Sequence, residues 1–211
     1  MADKTGRGEA FEDCGDRTIC RNMGLFGYQD TYFSNREGGR YYFEGGVIRG
    51  RTDYVCGKGD VVFHGVEFRH CDTKGYITAP SKAGKVGYVM IDCIITGEKP
   101  GIDGTFTLGR PWNDTPCNYW INTRCLVKPA PEGWGVMSGN RYPVRMAEYN
   151  SMDAEGQPLH LSRRKTEWTN KDGTVHSNNP VLTRDEAEAL IDFAEELRQS
   201  LEALHGFRTK F

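Results

Sequence analysis

A nine-residue pattern recurs four times in the first half of the chain, and it decides the fold. Residues 19–27 read ICRNMGLFG, residues 42–50 read YFEGGVIRG, residues 62–70 read VFHGVEFRH, and residues 89–97 read VMIDCIITG. A degraded fifth copy begins at Trp120. The first position is apolar or aromatic, and the seventh is Leu, Ile, Phe or Ile. The fourth position is Asn, Gly, Gly or Asp, the composition of a turn between two short strands.

The spacing of the copies favours a solenoid. Their starts lie 20 to 31 residues apart, which is typical of coils that cannot bury an inward face alone and therefore stack on their neighbours. The alternative is an antiparallel β-sandwich with regular turns. Sandwich strands would not be expected to keep residue types in columns over four copies. We therefore expect an all-β fold, a parallel β-helix whose coils differ in the length of their loops.

Composition limits the classes of function. A chain of 211 residues suits one domain. Its 27 basic and 29 acidic residues give a net charge of −2, which argues against nucleic-acid binding. No apolar run approaches the ~20 residues of a membrane helix, and the first residues lack the apolar core of a signal peptide. Seven cysteines without C-x-x-C spacing are expected to be mostly small buried hydrophobes.

The pattern stops after residue 140. Residues 150–180 are polar and turn-rich, and we expect a long surface loop there. Thr183 and Glu186 form a capping box, and leucines follow at helical spacing. This predicts an amphipathic helix that covers the solenoid or its open end. The predicted units are a solenoid over residues 1–182 and a packed helix over residues 183–211.

Two aspartates occupy equivalent positions in consecutive coils. Asp30 lies three residues after Gly27, and Asp53 lies three residues after Gly50. Neighbouring strands in a parallel ladder are about 4.8 Å apart, so the two carboxylates would lie close together. Such a pair can supply an acid together with a base or a nucleophile. A column of aspartates that cap turns is the alternative. Gln29 is either an oxyanion donor or a turn residue.

Five segments resemble, in the same order, motifs of the pectin methylesterases. They are GYQDT at 27–31, TDYVCG at 52–57 (against VDFIFG), LGRPW at 108–112, EGWGVM at 132–137 and AEYNS at 147–151. Any one of these is weak, but the ordered set is specific, and it covers roughly residues 15–190. The resemblance implies a right-handed parallel β-helix, in agreement with the repeat.

The resemblance implies an aspartyl esterase acting on pectin. Asp53 would be the nucleophile that attacks the C6 carbonyl of a methylated galacturonate and forms an acyl-enzyme. Asp30 would be the general acid and then the general base. Gln29 would donate to the oxyanion, Arg110 would orient Asp53 and keep it ionised, and Trp112 would face the sugar ring. The alternative for Arg110 and Trp112 is a stacked surface pair.

Four further residues are candidate substrate-binding walls of the sugar groove, with ordinary packing as the alternative: Tyr28, Tyr54, Trp134 and Met137. The histidines show no metal-ligand spacing, and the resemblance implies no metal and no cofactor. His64 and His70 are expected on exposed strand faces.

The resemblance also implies a partner and a location. The partner is pectin, as methyl-esterified homogalacturonan, and the protein is expected to be a monomer that is secreted or periplasmic. The basic run at 163–165 reads as a solvated patch that could favour an anionic polymer.

The chain also departs from the family pattern. Members of the family carry early coils and a further oxyanion glutamine before GYQDT; here the equivalent neighbourhood is Arg7, Gly8 and Glu9. We therefore expect an N-terminally incomplete solenoid that lacks the second donor, a loss that typically costs about 100- to 1000-fold in rate. The alternatives are a non-catalytic pectin-binding solenoid and a β-helix glycoside hydrolase, since stacked carboxylates also suit glycoside hydrolysis.

Overall fold

The computed structural model describes residues 8–113, 116–138 and 142–206. These residues form a parallel β-helix followed by a C-terminal helix, as the repeat predicts. No helix within these ranges is long and apolar enough to cross a membrane. The strands and the helix are β1 (Phe11–Asp13), β2 (Thr18–Phe26), β3 (Tyr32–Ser34), β4 (Arg40–Gly50), β5 (Thr52–His64), β6 (Glu67–His70), β7 (Tyr76–Ile91), β8 (Ile94–Gly97), β9 (Thr107–Gly109), β10 (Cys117–Ile121), β11 (Arg124–Cys125), β12 (Arg145–Tyr149), β13 (Glu167–Thr169), β14 (Val175–Ser177) and α1 (Arg184–His205).

The register confirms the first four copies of the repeat and corrects the fifth. The first positions of the four copies stack in one column, made of Ile19, Tyr42, Val62 and Val89. The next member of the column is Tyr119, so the fifth copy begins one residue before Trp120. Ala147 in β12 extends the column once more. The prediction missed by one residue because the insertion before β10 has no periodicity from which its length could be counted.

The fourth position of the repeat is a one-residue corner. Asn22, Gly45, Gly65 and Asp92 all have φ between 50° and 64°, the left-handed region that Gly, Asn and Asp tolerate best. Asn122 and Asn150 continue the column with φ of 54° and 53°. Their side chains form a ladder: Asn150 Nδ2 donates to Asn122 Oδ1 at 2.9 Å, and Asn122 Nδ2 donates to Asp92 Oδ1 at 3.0 Å. The turn predicted from composition is therefore present in every copy.

Two apolar clusters hold the fold together. The interior of the solenoid is filled by large side chains such as Phe43 and Phe63, whose rings stack at 5.0 Å between centroids. The first-position column faces outward instead, where α1 covers it with residues that include Ala194 and Leu201. This explains why outward positions are apolar: the helix removes their surface from water. The helix covers the side of the solenoid rather than its end.

The helix begins where the sequence predicts. Thr183 and Glu186 form the complete capping box, and Gly206 ends the helix in the left-handed conformation with φ of 68°. Six of the seven cysteines are buried free thiols, and Cys14 is exposed.

Three predictions for local structure are wrong. The segment 150–180 is not a plain loop, because β13 and β14 form an antiparallel hairpin within it. His70 is fully buried instead of lying on an exposed strand face, and its Nε2 donates to the carbonyl oxygen of Lys74 at 2.7 Å. The basic run 163–165 is not a solvated patch throughout, since Arg164 is buried in an ion pair with Glu148.

Candidate active site

The structure places Asp30 and Asp53 side by side in consecutive coils. Gln29 pairs with Thr52 in a parallel bridge, and Tyr32 pairs with Val55 in the same register. Asp30 therefore lies opposite Asp53, and its N–H donates to the carbonyl oxygen of Thr52 at 3.3 Å. Both aspartates are in the left-handed region, with φ of 54° and 50°.

A change of register makes Asp53 the last member of this column. Thr52 pairs with Tyr76 and Val55 with Thr78, so two residues of β5 face one residue of β7 between them. This is the signature of a β-bulge, a feature that redirects a side chain next to functional sites. The carboxylate of Asp53 turns outward, while Tyr54 and Val55 both point into the core.

Arg110 reaches Asp53 from two strands away. Its Nε donates to Asp53 Oδ1 at 2.9 Å and its Nη2 to Asp53 Oδ2 at 2.6 Å, which is a bidentate, charge-assisted pair. Cys56 in β5 pairs with Ala79 in β7. Arg110 directly follows β9, and its N–H donates to the carbonyl oxygen of Thr78 in β7. The backbones are therefore roughly 10 Å apart. The arginine side chain spans this gap, and Ala79 lines the cleft beside it.

The surroundings of Arg110 fix its guanidinium group. The group lies over the ring of Tyr76, 3.9 Å from the centroid. Burial disfavours its charge, but the hydrogen bonds and charge of Asp53 outweigh this and raise the pKa of Arg110 above its usual value. The preceding residue, Gly109, admits no side chain, because a Cβ atom there would clash with the hydroxyl of Thr78. The guanidinium therefore lies between the ring of Tyr76 and the carboxylate of Asp53.

These side chains line a cleft of about 330 Å³ on the side of the solenoid, which we call the carboxylate cleft. Its lining residues are Glu9, Gln29, Asp30, Phe33, Asp53, Cys56, Ala79, Arg110, Trp112, Met137 and Ser138. The structure thus brings together Gln29, Asp30, Asp53, Arg110, Trp112 and Met137, all of which the sequence singled out. Trp112 lies 6.0 Å from Phe33, measured between ring centroids.

Three of the predicted groove residues are not in the cleft lining. Tyr54 and Trp134 are buried in the solenoid core, with exposed fractions of 0% and 1%. A side chain that is enclosed by the core cannot contact a sugar, so the prediction that these two form groove walls is wrong. Tyr28 is half-buried outside the cleft, where its hydroxyl lies 3.5 Å from Asp72 Oδ2 and its ring faces Arg51.

Sequence reasoning also missed five lining residues. Phe33 and Cys56 each lie three residues after a cleft aspartate, and they share one column with Ala79. Counting three positions onward from each aspartate would have found the first two. Ser138 adjoins Met137, which was predicted. Glu9 lies in the neighbourhood where the resemblance places a second oxyanion glutamine, but no role was predicted for it from the sequence.

The chemistry of Cys56 argues against this thiol as the reactive group of the cleft. Burial, followed by the charges of Asp30 and Asp53, raises the pKa of this thiol far above its usual value, and the thiol also hydrogen-bonds to Asp30. Because the thiolate is the nucleophilic form of cysteine, Cys56 reacts only slowly at neutral pH. The cleft therefore offers an arginine-bound carboxylate, a second carboxyl group and an amide donor at one place.

Fold and cleft together define the class: a parallel β-helix protein with paired carboxyl groups in a cleft on its side. The family model for pectinesterase matches residues 4–182, and the chain belongs to the pectinesterase family. Probable pectinesterase A of Neosartorya fischeri is 35% identical over 165 residues, which cover 74% of this chain and 47% of that protein. Pectinesterase 5 of Arabidopsis thaliana is 27% identical over 168 residues, which cover 73% of this chain and 27% of that protein.

Solved structures show the same fold. The pectin methylesterase from Aspergillus niger, in deglycosylated form, superimposes with a TM-score of 0.65 at 22% identity, and the match covers 90% of this chain and 60% of that chain. The pectin methylesterase from Yersinia enterocolitica gives a TM-score of 0.59 at 24% identity, over 84% of this chain and 59% of that chain. The chain spans about half the length, or less, of the two curated relatives described above.

Proposed function

We propose that this protein hydrolyses the C6 methyl esters of homogalacturonan and releases methanol through an aspartyl acyl-enzyme. The observation that carries the proposal is the stacked pair Asp30 and Asp53 in one cleft, with Arg110 bonded to both oxygens of Asp53. Membership of the pectinesterase family supports the reaction class. A pectin methylesterase solved in complex with a hexasaccharide shares the fold, with a TM-score of 0.57. The catalytic domain is the solenoid of residues 1–182, with α1 packed on it. The protein acts outside the cell or in the periplasm.

The first half of the reaction makes an acyl-enzyme. A carboxylate oxygen of Asp53 adds to the C6 carbonyl carbon, and the carbonyl oxygen becomes an oxyanion that accepts from the amide of Gln29. The C–OCH₃ bond then breaks, and the proton of Asp30 passes to the departing methoxy oxygen, so methanol leaves. Arg110 keeps Asp53 ionised before the attack, because a bidentate cation stabilises the charged form.

The second half releases the acid. Asp30, now ionised, takes a proton from water, and the hydroxyl oxygen adds to the acyl carbon. The bond to Asp53 breaks, which restores its carboxylate and leaves the free galacturonate. Asp30 ends with its proton, ready for the next cycle. Two carboxyl groups one coil apart suit this exchange, because close like charges push their proton affinities apart.

The rest of the cleft suits a sugar ring and its methyl ester. Trp112 and Phe33 present aromatic surface beside the aspartates, and Met137 adds a flexible apolar side chain. We propose that Trp112 stacks on the pyranose and that Met137 contacts the ester methyl group.

The decisive experiment is Asp53→Asn, assayed by methanol release from methylated pectin. The amide cannot act as the nucleophile, so we expect a loss of roughly 1000-fold or more with an unchanged circular dichroism spectrum. Asp92→Asn is the matched control: Asp92 has nearly the same backbone conformation, but it lies in a corner column that already contains Asn22, Asn122 and Asn150. This control should keep wild-type activity.

The same assay separates the competing functions. Methanol release without shortening of the polymer is the expected result. Chain shortening would indicate a glycoside hydrolase instead, and pectin binding without methanol would indicate a binding solenoid. Wild-type activity in Asp53→Asn would remove Asp53 from the nucleophile role.

A further inference from the structure

A third carboxyl group, Glu9, lies at the mouth of the carboxylate cleft. The residues on either side of it bond to the coil that carries Asp30: the N–H of Gly8 donates to Gln29 at 3.5 Å, and the N–H of Ala10 donates to Thr31 at 2.9 Å. Glu9 therefore lies beside Asp30, which in turn lies beside Asp53. Its side chain lines the cleft and is exposed to solvent.

The charge of Glu9 acts inside the cleft. Among the causes that raise the pKa of Cys56, burial is the largest, and the charge of Glu9 adds to those of Asp30 and Asp53. The groups that face Glu9 from the other strands are Asp30 after β2, Asp53 and Cys56 in β5, and Arg110 after β9. Among the lining residues that the structure describes, Arg110 is the cation.

Glu12 and Asp13 are the acidic residues on the strand that follows Glu9. Both lie outside the cleft lining. Glu12 accepts from the amide of Asn35 at 2.7 Å, and Asp13 accepts from the N–H of Gly15 at 2.8 Å. Within this N-terminal stretch, the carboxyl group that reaches the cleft is that of Glu9.

We propose that Glu9 is a third active-site carboxyl group whose negative charge restrains turnover. The inference rests on the proposed esterase function. Addition of Asp53 to an ester places negative charge on the carbonyl oxygen, and donors aimed at that oxygen speed the reaction. An ionised carboxylate has only acceptor atoms and repels the new charge, whereas a carboxylic acid or an amide can donate. Glu9 thus slows the step that Gln29 assists.

The test is Glu9→Gln, which keeps the shape of the side chain and replaces its charge with an amide donor. We expect kcat/KM for methylated pectin to rise about tenfold at pH 7, because one oxyanion donor is gained and one repulsive charge is lost. Glu12→Gln removes the same charge three residues away and should leave kcat/KM unchanged.

The inference is overturned if Glu9→Gln is no faster than the wild type at pH 7, or if Glu12→Gln gives the same gain.

A readout without substrate separates this inference from the esterase proposal. If the wild type and both variants release no methanol, the esterase proposal fails, and the alkylation rate of Cys56 decides the placement of Glu9. Peptide mass spectrometry after treatment with iodoacetamide measures that rate. Removing a nearby negative charge favours the thiolate, so Glu9→Gln should react roughly twofold faster than Glu12→Gln. Equal rates would show that the charge of Glu9 does not reach the cleft.

Discussion

Two carboxylate–arginine pairs in this protein have the same chemistry and different surroundings. Arg110 and Asp53 have exposed fractions of 20% and 8% and border the cleft. Arg164 and Glu148 have exposed fractions of 3% and 1% and are enclosed at the last coil. In both pairs two guanidinium nitrogens donate to a carboxylate. The difference lies in what else each pair can bind.

The enclosed pair has its hydrogen-bonding groups filled by the chain itself. The free Nη1 of Arg164 donates to the carbonyl oxygens of Ala130 and Pro131 at 3.2 and 3.1 Å, and Glu148 also accepts from the hydroxyl of Ser151 at 2.9 Å. The pair thereby ties the loop after β11 and the segment after β12 to the last coil. A carboxylate saturated in this way is structural, whereas one that faces a cleft can meet a substrate.

The largest expected effect is on stability, from Arg164→Ala. Removal of one partner leaves Glu148 charged and enclosed, which typically costs about 3–5 kcal/mol in the free energy of unfolding. Urea denaturation measures this, with Arg163→Ala as the exposed control. A loss below about 1 kcal/mol would show that the pair does not hold the end of the solenoid.

His70 is a buried polar side chain without an ionic partner, and it makes the stability of the protein depend on pH. Burial lowers the pKa of His70 to about 4, from an ordinary value near 6.5. Below pH 6.5, His70 takes up a proton in the unfolded chain but stays neutral in the folded protein. The free energy of unfolding therefore falls as the pH falls toward 4. The loss amounts to about 3 kcal/mol. His70→Gln should flatten this part of the curve of unfolding free energy against pH, whereas the exposed variant His160→Gln should not.

Arg110→Ala is expected to affect activity more than stability. Without the guanidinium, Asp53 becomes harder to ionise, so the acid limb of the pH–rate profile should move to higher pH, and kcat/KM should fall about 100-fold. Water in the cleft can hydrate the carboxylate, so the stability loss should be smaller than for Arg164→Ala. An unchanged pH profile would show that the pair does not set the charge of Asp53.

The smallest expected effect is that of enlarging Ala79, which lies beside the Arg110 side chain. Ala79→Leu would place a branched side chain beside the arginine, and we expect kcat/KM to fall about tenfold through misplacement of the guanidinium. Ala79→Gly adds no bulk and should keep most of the activity. Equal activity in the two variants would mean that the size of residue 79 is irrelevant to the cleft.

The repeat in the sequence predicted those features of the fold that the repeat itself determines. The columns that begin at Ile19 and Asn22, and the pairing of Asp30 with Asp53, follow from a repeat whose coils contain few insertions. Arg110 could not be placed in the same way, because the segment before β9 has no period. Its position became visible only through the strand register and the two hydrogen bonds to Asp53.

The wrong predictions have separate physical causes. Strict alternation along β5 would turn Tyr54 inward and Val55 outward. The left-handed conformation of Asp53 and the bulge instead turn both Tyr54 and Val55 inward. As a result, Cys56 reaches the cleft. A motif identifies Tyr54 and Trp134 without saying which face they occupy. Burial of Arg164 was equally invisible, because its partner Glu148 lies sixteen residues earlier in the chain.

The one-residue corner determines where the loops of such a protein can vary in length. Its six residues, Asn22 to Asn150, lie 20 to 30 positions apart, yet every coil turns there in the same way. Insertions must therefore accumulate at the other bends, some of which border the cleft. Loop grafting at those bends could remodel what the cleft accepts while the stacked frame keeps its shape.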